Sequence, residues 1–182
     1  MPGTGYILFS GGAKGTETAF GELAQSHGVE EVNYSFEGHL VERNRGLRVL
    51  TEDELALKDV SLTYVSRLMS RKFSAAPIFR KVLQSICWQV ASGFEIFVVG
   101  SIQDDQTVKG GTGWGAEYAK ICNKPLFVFD QEKNGWFQWI KTEFKAVDAP
   151  LIRHKHFTGT GTRFLEANGR KALEDLFARS FK

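Results

Sequence analysis

Apolar and polar positions fall into blocks along the chain, and the period of each block predicts its element. Tyr6-Ile7-Leu8-Phe9 is an apolar run of strand length, and Thr16 to His27 carries a helical pattern that Gly28 caps. Glu31 to Phe36 predicts a second strand. Phe94 to Gly100 and Pro125 to Asp130 are near-continuous apolar runs, the mark of parallel strands buried on both faces. Two helices precede them. One starts at a capping box, Thr51 with Glu54, in which hydroxyl and carboxylate each satisfy a free backbone amide. The other, roughly Pro77 to Ala91, carries Ile78, Val82, Ile86 and Val90 at four-residue spacing, a stripe predicted to face the sheet. Trp114 to Cys122 and Arg163 to about Phe181 predict two more helices, and Leu151 to Phe157 a last strand. Trp136 to Phe144 fits strand and helix equally. Strands alternating with helices imply right-handed crossovers and a mainly parallel sheet, hence an α/β fold. No repeat or flexible linker divides the chain, which predicts one domain over residues 1–182.

Glycine changes the picture. The chain has 19, and three short segments concentrate them: Gly11, Gly12 and Gly15; Gly110, Gly111, Gly113 and Gly115; Gly159 and Gly161. Each lies between a predicted strand and a predicted helix. In a parallel sheet, loops leaving the carboxyl ends of strands line one crevice, where ligands bind. A glycine-rich turn running into a helix exposes backbone amides, and the helix dipole adds roughly half a positive charge, which suits an anion. Lys14 and Thr16 add a cation and a hydroxyl to the first segment. In the second, Thr112 and Trp114 accompany the glycines, with Trp114 placed to stack or to pack, and Glu117 is expected in the first helical turn. In the third, Thr160, Thr162 and Arg163 combine hydroxyls with a guanidinium whose fork matches two phosphate oxygens. Asp130, at the end of its strand, is a candidate for ribose hydroxyls. The GxxxxGK[ST] spacing occurs nowhere, which excludes a P-loop.

Charge and composition mainly exclude. Lys plus Arg number 23 against 21 Asp plus Glu, a net +2, too balanced for affinity that rests on a nucleic-acid backbone. Hydrophobic residues at 42% and charged residues at 24% fit a folded chain rather than a disordered one. No apolar run reaches the roughly 20 residues of a membrane span, and Met1 to Gly5 lacks a secretory pattern, so the expectation is a cytoplasmic protein. Cys87 and Cys122 sit in apolar helical patterns and are expected as buried thiols. His154 and His156 share one face of the predicted last strand, without the further ligands of a metal site. His39, Arg43, Arg45 and Arg48 follow the second strand as a solvated loop or a lid over phosphates.

At the loops the residues carry a family resemblance. Gly110 to Glu117, GGTGWGAE, resembles the GGxGTxxE signature of LOG-type phosphoribohydrolases, with Trp114 at the threonine position and Glu117 on the catalytic glutamate. Ser10 to Phe20, SGGAKGTETAF, resembles the SGxAxGxD loop of the DNA-processing protein A domain, with Glu17 at the aspartate. Phe157 to Arg163, FTGTGTR, is similar to the GxGSR loop that opens such domains, and here it stands near the carboxyl end of the chain. Together these resemble the SLOG superfamily in its circularly permuted YpsA-like form, some members of which carry the label of molybdenum cofactor carrier. The resemblance implies a Rossmann-like three-layer sandwich. LOG-type enzymes place an arginine shortly before the GGxGT loop, whereas Arg71-Lys72 lies a helix and a strand earlier.

The functional expectation is a crevice that binds a phosphorylated nucleotide or nucleotide-derived ligand, as sensor, carrier or sequestering protein. Lys14, Thr160, Arg163 and the loop amides would hold phosphate, and Asp130 or Glu117 the ribose. The resemblance also implies an N-glycosidase in which Glu117 supports the developing charge on the sugar, or a carrier of molybdenum cofactor. No resident cofactor or metal is expected. A homodimer is compatible with apolar residues on edge helices.

Overall fold

A computed structural model describes residues 4–73 and 75–182. The elements in chain order are β1 (Ile7–Ser10), α1 (Thr16–Ser26), β2 (Glu30–Phe36), β3 (Leu47–Leu50), α2 (Glu52–Ala56), α3 (Asp59–Met69), α4 (Pro77–Ser92), β4 (Glu95–Gly100), α5 (Thr112–Ile121), β5 (Leu126–Asp130), β6 (Gly135–Ile140), β7 (Glu143–Val147), β8 (His156–Gly161) and α6 (Ala167–Ser180). They form a Rossmann-like three-layer sandwich around an eight-stranded sheet ordered β3-β2-β1-β8-β4-β5-β6-β7. All neighbours from β3 through β5 are parallel, and β6 and β7 add an antiparallel hairpin at one edge.

Two apolar layers hold the sheet. On one face Phe20, Leu23, Leu173, Leu176 and Phe177 of α1 and α6 close over Leu8, Phe97 and Phe157. On the other, Leu62 and Val65 of α3, Leu83, Cys87 and Val90 of α4, and Ala116 of α5 close over Ile96, Val98 and Val128. Every residue of β4 is buried, as its continuous apolar run requires. Cys87 is buried, and burial pushes its thiol up to about 12, whereas Cys122 is only partly covered.

Several boundaries differ from the pattern. Trp136 to Phe144 resolves into the β6–β7 hairpin, with Lys141 at φ 57° in its two-residue turn. Its mixed signal has a cause, since alternate side chains pack on both faces: Trp136 on Phe97 and Phe129, and Trp139 on Phe144. The last strand starts later than its apolar run. Glu95 accepts the backbone N–H groups of Arg153 and His154 at 2.6 and 2.8 Å, which fixes this segment as a loop, and β8 runs from His156. His154 therefore stands outside the strand, and both histidine rings pack on Phe94 instead. The third glycine segment is likewise not a loop. Gly159 and Gly161 are strand residues, and α6 begins at Ala167 rather than Arg163.

In α4 the stripe faces the sheet only in part. Ile86 and Val90 are buried, Val82 is half-buried, and Ile78 is 54% exposed. The helix has 16 residues, roughly 24 Å, against six in the strand it precedes, roughly 20 Å, so its first turns overhang the carboxyl edge of the sheet. On α3, Val60, Tyr64 and Leu68 face outward. No described helix is long and apolar enough to cross a membrane.

Candidate functional site

The strand order places β8 between β1 and β4, where the chain's two directions of winding diverge. At the carboxyl ends of these three strands lies a crevice of about 470 Å³. Such a switch point is where open α/β sheets take ligands. Its walls come from the β1–α1 loop, α4, the loop before α5 and the segment after β8.

Of the residues picked out in the sequence, Lys14, Glu17, Gly110, Gly111, Thr112, Thr160, Gly161, Thr162 and Arg163 line the crevice. Gly11, Gly12, Gly15, Thr16, Gly113, Trp114, Asp130, Gly159 and Glu117 do not. Most of these build the walls from behind. Gly15, at φ 87°, lies so close to Arg163 that a Cβ there would sit 2.4 Å from its carbonyl oxygen. Thr16 spends its hydroxyl and its backbone N–H on the Thr162 carbonyl, at 2.8 and 3.1 Å. These contacts join the first and third segments into one surface. A Cβ on Gly11 would strike Glu17 and Gln89, one on Gly12 the Arg43 carbonyl, and one on Gly159 the Phe20 ring. Close packing by itself is enough to require those glycines.

The second segment enters its helix two residues early. α5 starts at Thr112, so Gly113 and Gly115 are helical, where they admit the Val108 carbonyl and the Ile86 side chain. Trp114 is 3% exposed and packs on Phe73. Glu117 falls in the second turn of α5 rather than the first, and it pairs with Lys120 at 2.9 Å. Lys120 in turn donates to the Gln106 carbonyl and lies over the Trp139 ring. Asp130 is 1% exposed and accepts from the Ile102 and Lys133 amides, bracing the loop that follows β4.

Arg71 supplies the other brace. Although distant in sequence, its guanidinium donates to the carbonyls of Val108 and Gly110 and to the side chains of Gln103 and Thr107. Gln103 and Asp105 are thereby engaged within the loop, Asp105 by Thr107. The arginines after β2 are engaged as well: Arg43 and Arg45 with the buried Glu31, and Arg48 with Glu54. They do not clamp the crevice, whereas His39 beside them does line it.

What remains for a ligand is well defined. Lys14, Lys109 and Arg163 are exposed at the crevice and their side chains have no hydrogen-bond or ion-pair partner among the described residues. Beside them, the N–H groups of Gly110, Gly111 and Thr112 have no backbone acceptor among the described residues. Deeper in, Glu17 accepts from Thr160 Oγ1 at 2.8 Å and from the Ala13 amide at 3.1 Å, with Gln89 as a further partner. Burial raises its carboxyl above the ordinary value although all three hydrogen bonds oppose the shift. Burial also lowers His39, whose Nδ1 shares a hydrogen bond with Ser35 Oγ at 3.1 Å. The crevice thus has a cationic rim, and burial shifts Glu17 and His39 toward their neutral forms.

No family model matches the chain, and neither a curated protein nor a solved structure matches it.

Sequence reasoning missed the α4 wall, formed by Phe79, Val82, Ser85, Ile86 and Gln89, and it missed Lys109. A signal existed for the wall. Gln84, Ser85 and Gln89 are polar residues within the apolar stretch of α4 from Val82 to Ala91, and a buried polar group needs a partner.

Proposed function

We propose that this chain binds a phosphorylated, nucleotide-type ligand in the crevice at the carboxyl ends of β1, β8 and β4. One observation carries the reading: Lys14, Lys109 and Arg163, free of internal partners among the described residues, converge with the Gly110 to Thr112 amides on one cavity. Free guanidinium and ammonium groups beside free amides suit phosphate oxygens. A volume of about 470 Å³ suits a ligand of nucleotide size. Thr160, expected on the phosphate, has its proton committed to Glu17. The ligand shell proposed here therefore replaces it with Lys109.

A binding, sensing or carrying role is favoured over N-glycosidic hydrolysis through Glu117, because that carboxylate lies outside the crevice lining and is paired with Lys120. The molybdenum cofactor, as cargo, would present its phosphate to the same cations. The resemblance to the SLOG superfamily is consistent with each of these ligands.

Calorimetric titration tests the reading. Arg163→Ala and Lys109→Ala are expected to weaken binding of nucleoside triphosphates by about 1.5 to 3 kcal/mol each, the scale of hydrogen bonds to charged groups. Both residues are exposed, so thermal stability is expected to stay close to wild type. Unchanged affinity in both variants would remove the crevice from the phosphate site. Chromatography of the same mixtures is expected to show no free base, and its release would restore the hydrolase.

A further inference from the structure

The crevice carries a second feature that phosphate binding leaves unused, an apolar mouth. Phe79, 42% exposed, stands in the first turn of α4, and Phe164, 76% exposed, follows β8. Both line the cavity. Their elements belong to opposite layers, since α4 packs on one face of the sheet and α6, into which Phe164 leads, on the other. Phe79 and the segment carrying Phe164 thus reach the cavity from different layers. Neither makes a ring–ring or cation–ring contact among the described residues, although most phenylalanines of this chain do.

An edge carbon of Phe79 lies 3.8 Å from where a Cβ on Gly111 would stand. Around Phe164, its amide donates to Thr162 Oγ1 and its carbonyl accepts from Gln131 Nε2. Below Phe79 the same face of α4 continues through Val82 and Ile86 to Gln89, at helical spacing. The wall is apolar at its mouth and polar at its foot. Gln89 is 1% exposed, and its side-chain carbonyl has no partner among the described residues. Beside it lies the Glu17 carboxyl. Apolar walls ending in a few convergent polar groups complement a flat ring with hydrogen-bonding atoms on its edge.

We propose that Phe79 and Phe164 clamp a planar nitrogen heterocycle at the mouth of the crevice, while its phosphates meet Lys14, Lys109 and Arg163. This rests on the phosphate-binding reading and adds to it the ring, its place and the residues that select for it. A nucleobase and a pterin share this chemistry.

The test separates ring from phosphate. Inorganic tripolyphosphate, the ribonucleoside triphosphates of all four bases and neopterin triphosphate are titrated calorimetrically into wild type, Phe79→Ala, Phe164→Ala and the double variant. At least one ring-bearing triphosphate is expected to bind about tenfold or more tightly than tripolyphosphate, the scale of stacking on aromatic side chains. The double variant is expected to lose that margin and to keep its tripolyphosphate affinity, which also shows that it is folded. Phe79→Trp is expected to keep the margin at least in part. Which compound gains, nucleotide or neopterin triphosphate, identifies the source of the ring. If tripolyphosphate binds as tightly as every ring-bearing compound, or the margin survives in the double variant, the clamp is wrong and the phosphate site stands. If neither tripolyphosphate nor any ring-bearing compound binds, the phosphate reading and the clamp fall together.

Discussion

At the scale of single residues, Glu17 concentrates the chemistry of the crevice. Its environment combines burial, which penalises charge, with three hydrogen bonds that favour it, and burial wins. A carboxyl raised in the native state stabilises the fold most at pH values below its unfolded value of about 4.3, and that contribution is lost as pH rises through the native value. Glu17→Gln keeps the shape and removes the titration. Its denaturation midpoint minus that of wild type is thus expected to become more favourable between about pH 5 and about pH 8. Glu95, also raised by burial, is common to both proteins and cancels in the difference. Parallel midpoints across that range would show that Glu17 is charged in the native state throughout. The sequence made Glu17 visible only as a position in a loop motif. Its burial depends on Thr160, far along the chain, and on Gln89 in α4, contacts that no local pattern encodes.

At the scale of elements, local signals were reliable where burial or a neighbouring side chain decides them and weak where a distant side chain takes the backbone donors. The capping box at Thr51 is present, with Thr51 Oγ1 accepting from the Glu54 amide and Glu54 returning a bond to the Thr51 amide. The apolar runs of β4 and β5 were legible because burial on both faces leaves every position apolar or glycine except Glu95 at the start of β4 and Asp130 at the end of β5. The start of β8 was not, because its backbone donors are diverted to the Glu95 carboxylate, in another strand. Glycine proved the most ambiguous letter, since close packing and ligand approach both demand it. At Gly159 the demand is packing: a Cβ would lie 2.5 Å from atoms of the Phe20 ring, so α1 must move off β8. Gly159→Ala is expected to destabilise the protein by about 1 to 3 kcal/mol in denaturant titration, as overpacked cores do. An unchanged midpoint would mean that the ring has room to shift. The Arg71 brace gives the opposite case, a loop held by a side chain. Arg71→Ala strips the Val108 carbonyl of its donor and leaves the Gly110 carbonyl with the Gly113 amide alone, and the amides of residues 103–112 are expected to exchange with deuterium faster than in wild type. Equal exchange would show that Asp130, Lys120 and the loop's own hydrogen bonds fix it without Arg71.

At the scale of the whole molecule, the order of the strands matters more than any one of them. β8, the last strand in the chain, lies between β1 and β4 and pairs with both. The crevice depends on this insertion, since Thr160 to Phe164 form one of its walls and the Thr162 carbonyl anchors Thr16. The parallel sheet was legible from the alternation of strands and helices, but the place of β8 was not, because pairing across the length of the chain leaves no trace in local periodicity. It also carries a kinetic cost, as contacts between distant segments require closing a long loop before they yield any stabilisation. A chain ending at Asp148 would keep β1 to β7 yet expose the facing edges of β1 and β4 and remove Phe157, Leu173, Leu176 and Phe177 from the core. Such a truncation is expected to lose cooperative thermal unfolding and near-ultraviolet circular dichroism, with rapid proteolysis throughout. Supplying residues 149–182 as a separate peptide tests the same point from the other side. Because β8 has both neighbours waiting for it, the peptide is expected to restore near-ultraviolet dichroism at an equimolar ratio. A truncated chain that unfolds cooperatively by itself would show that the sheet closes across β1 and β4 without the strand between them.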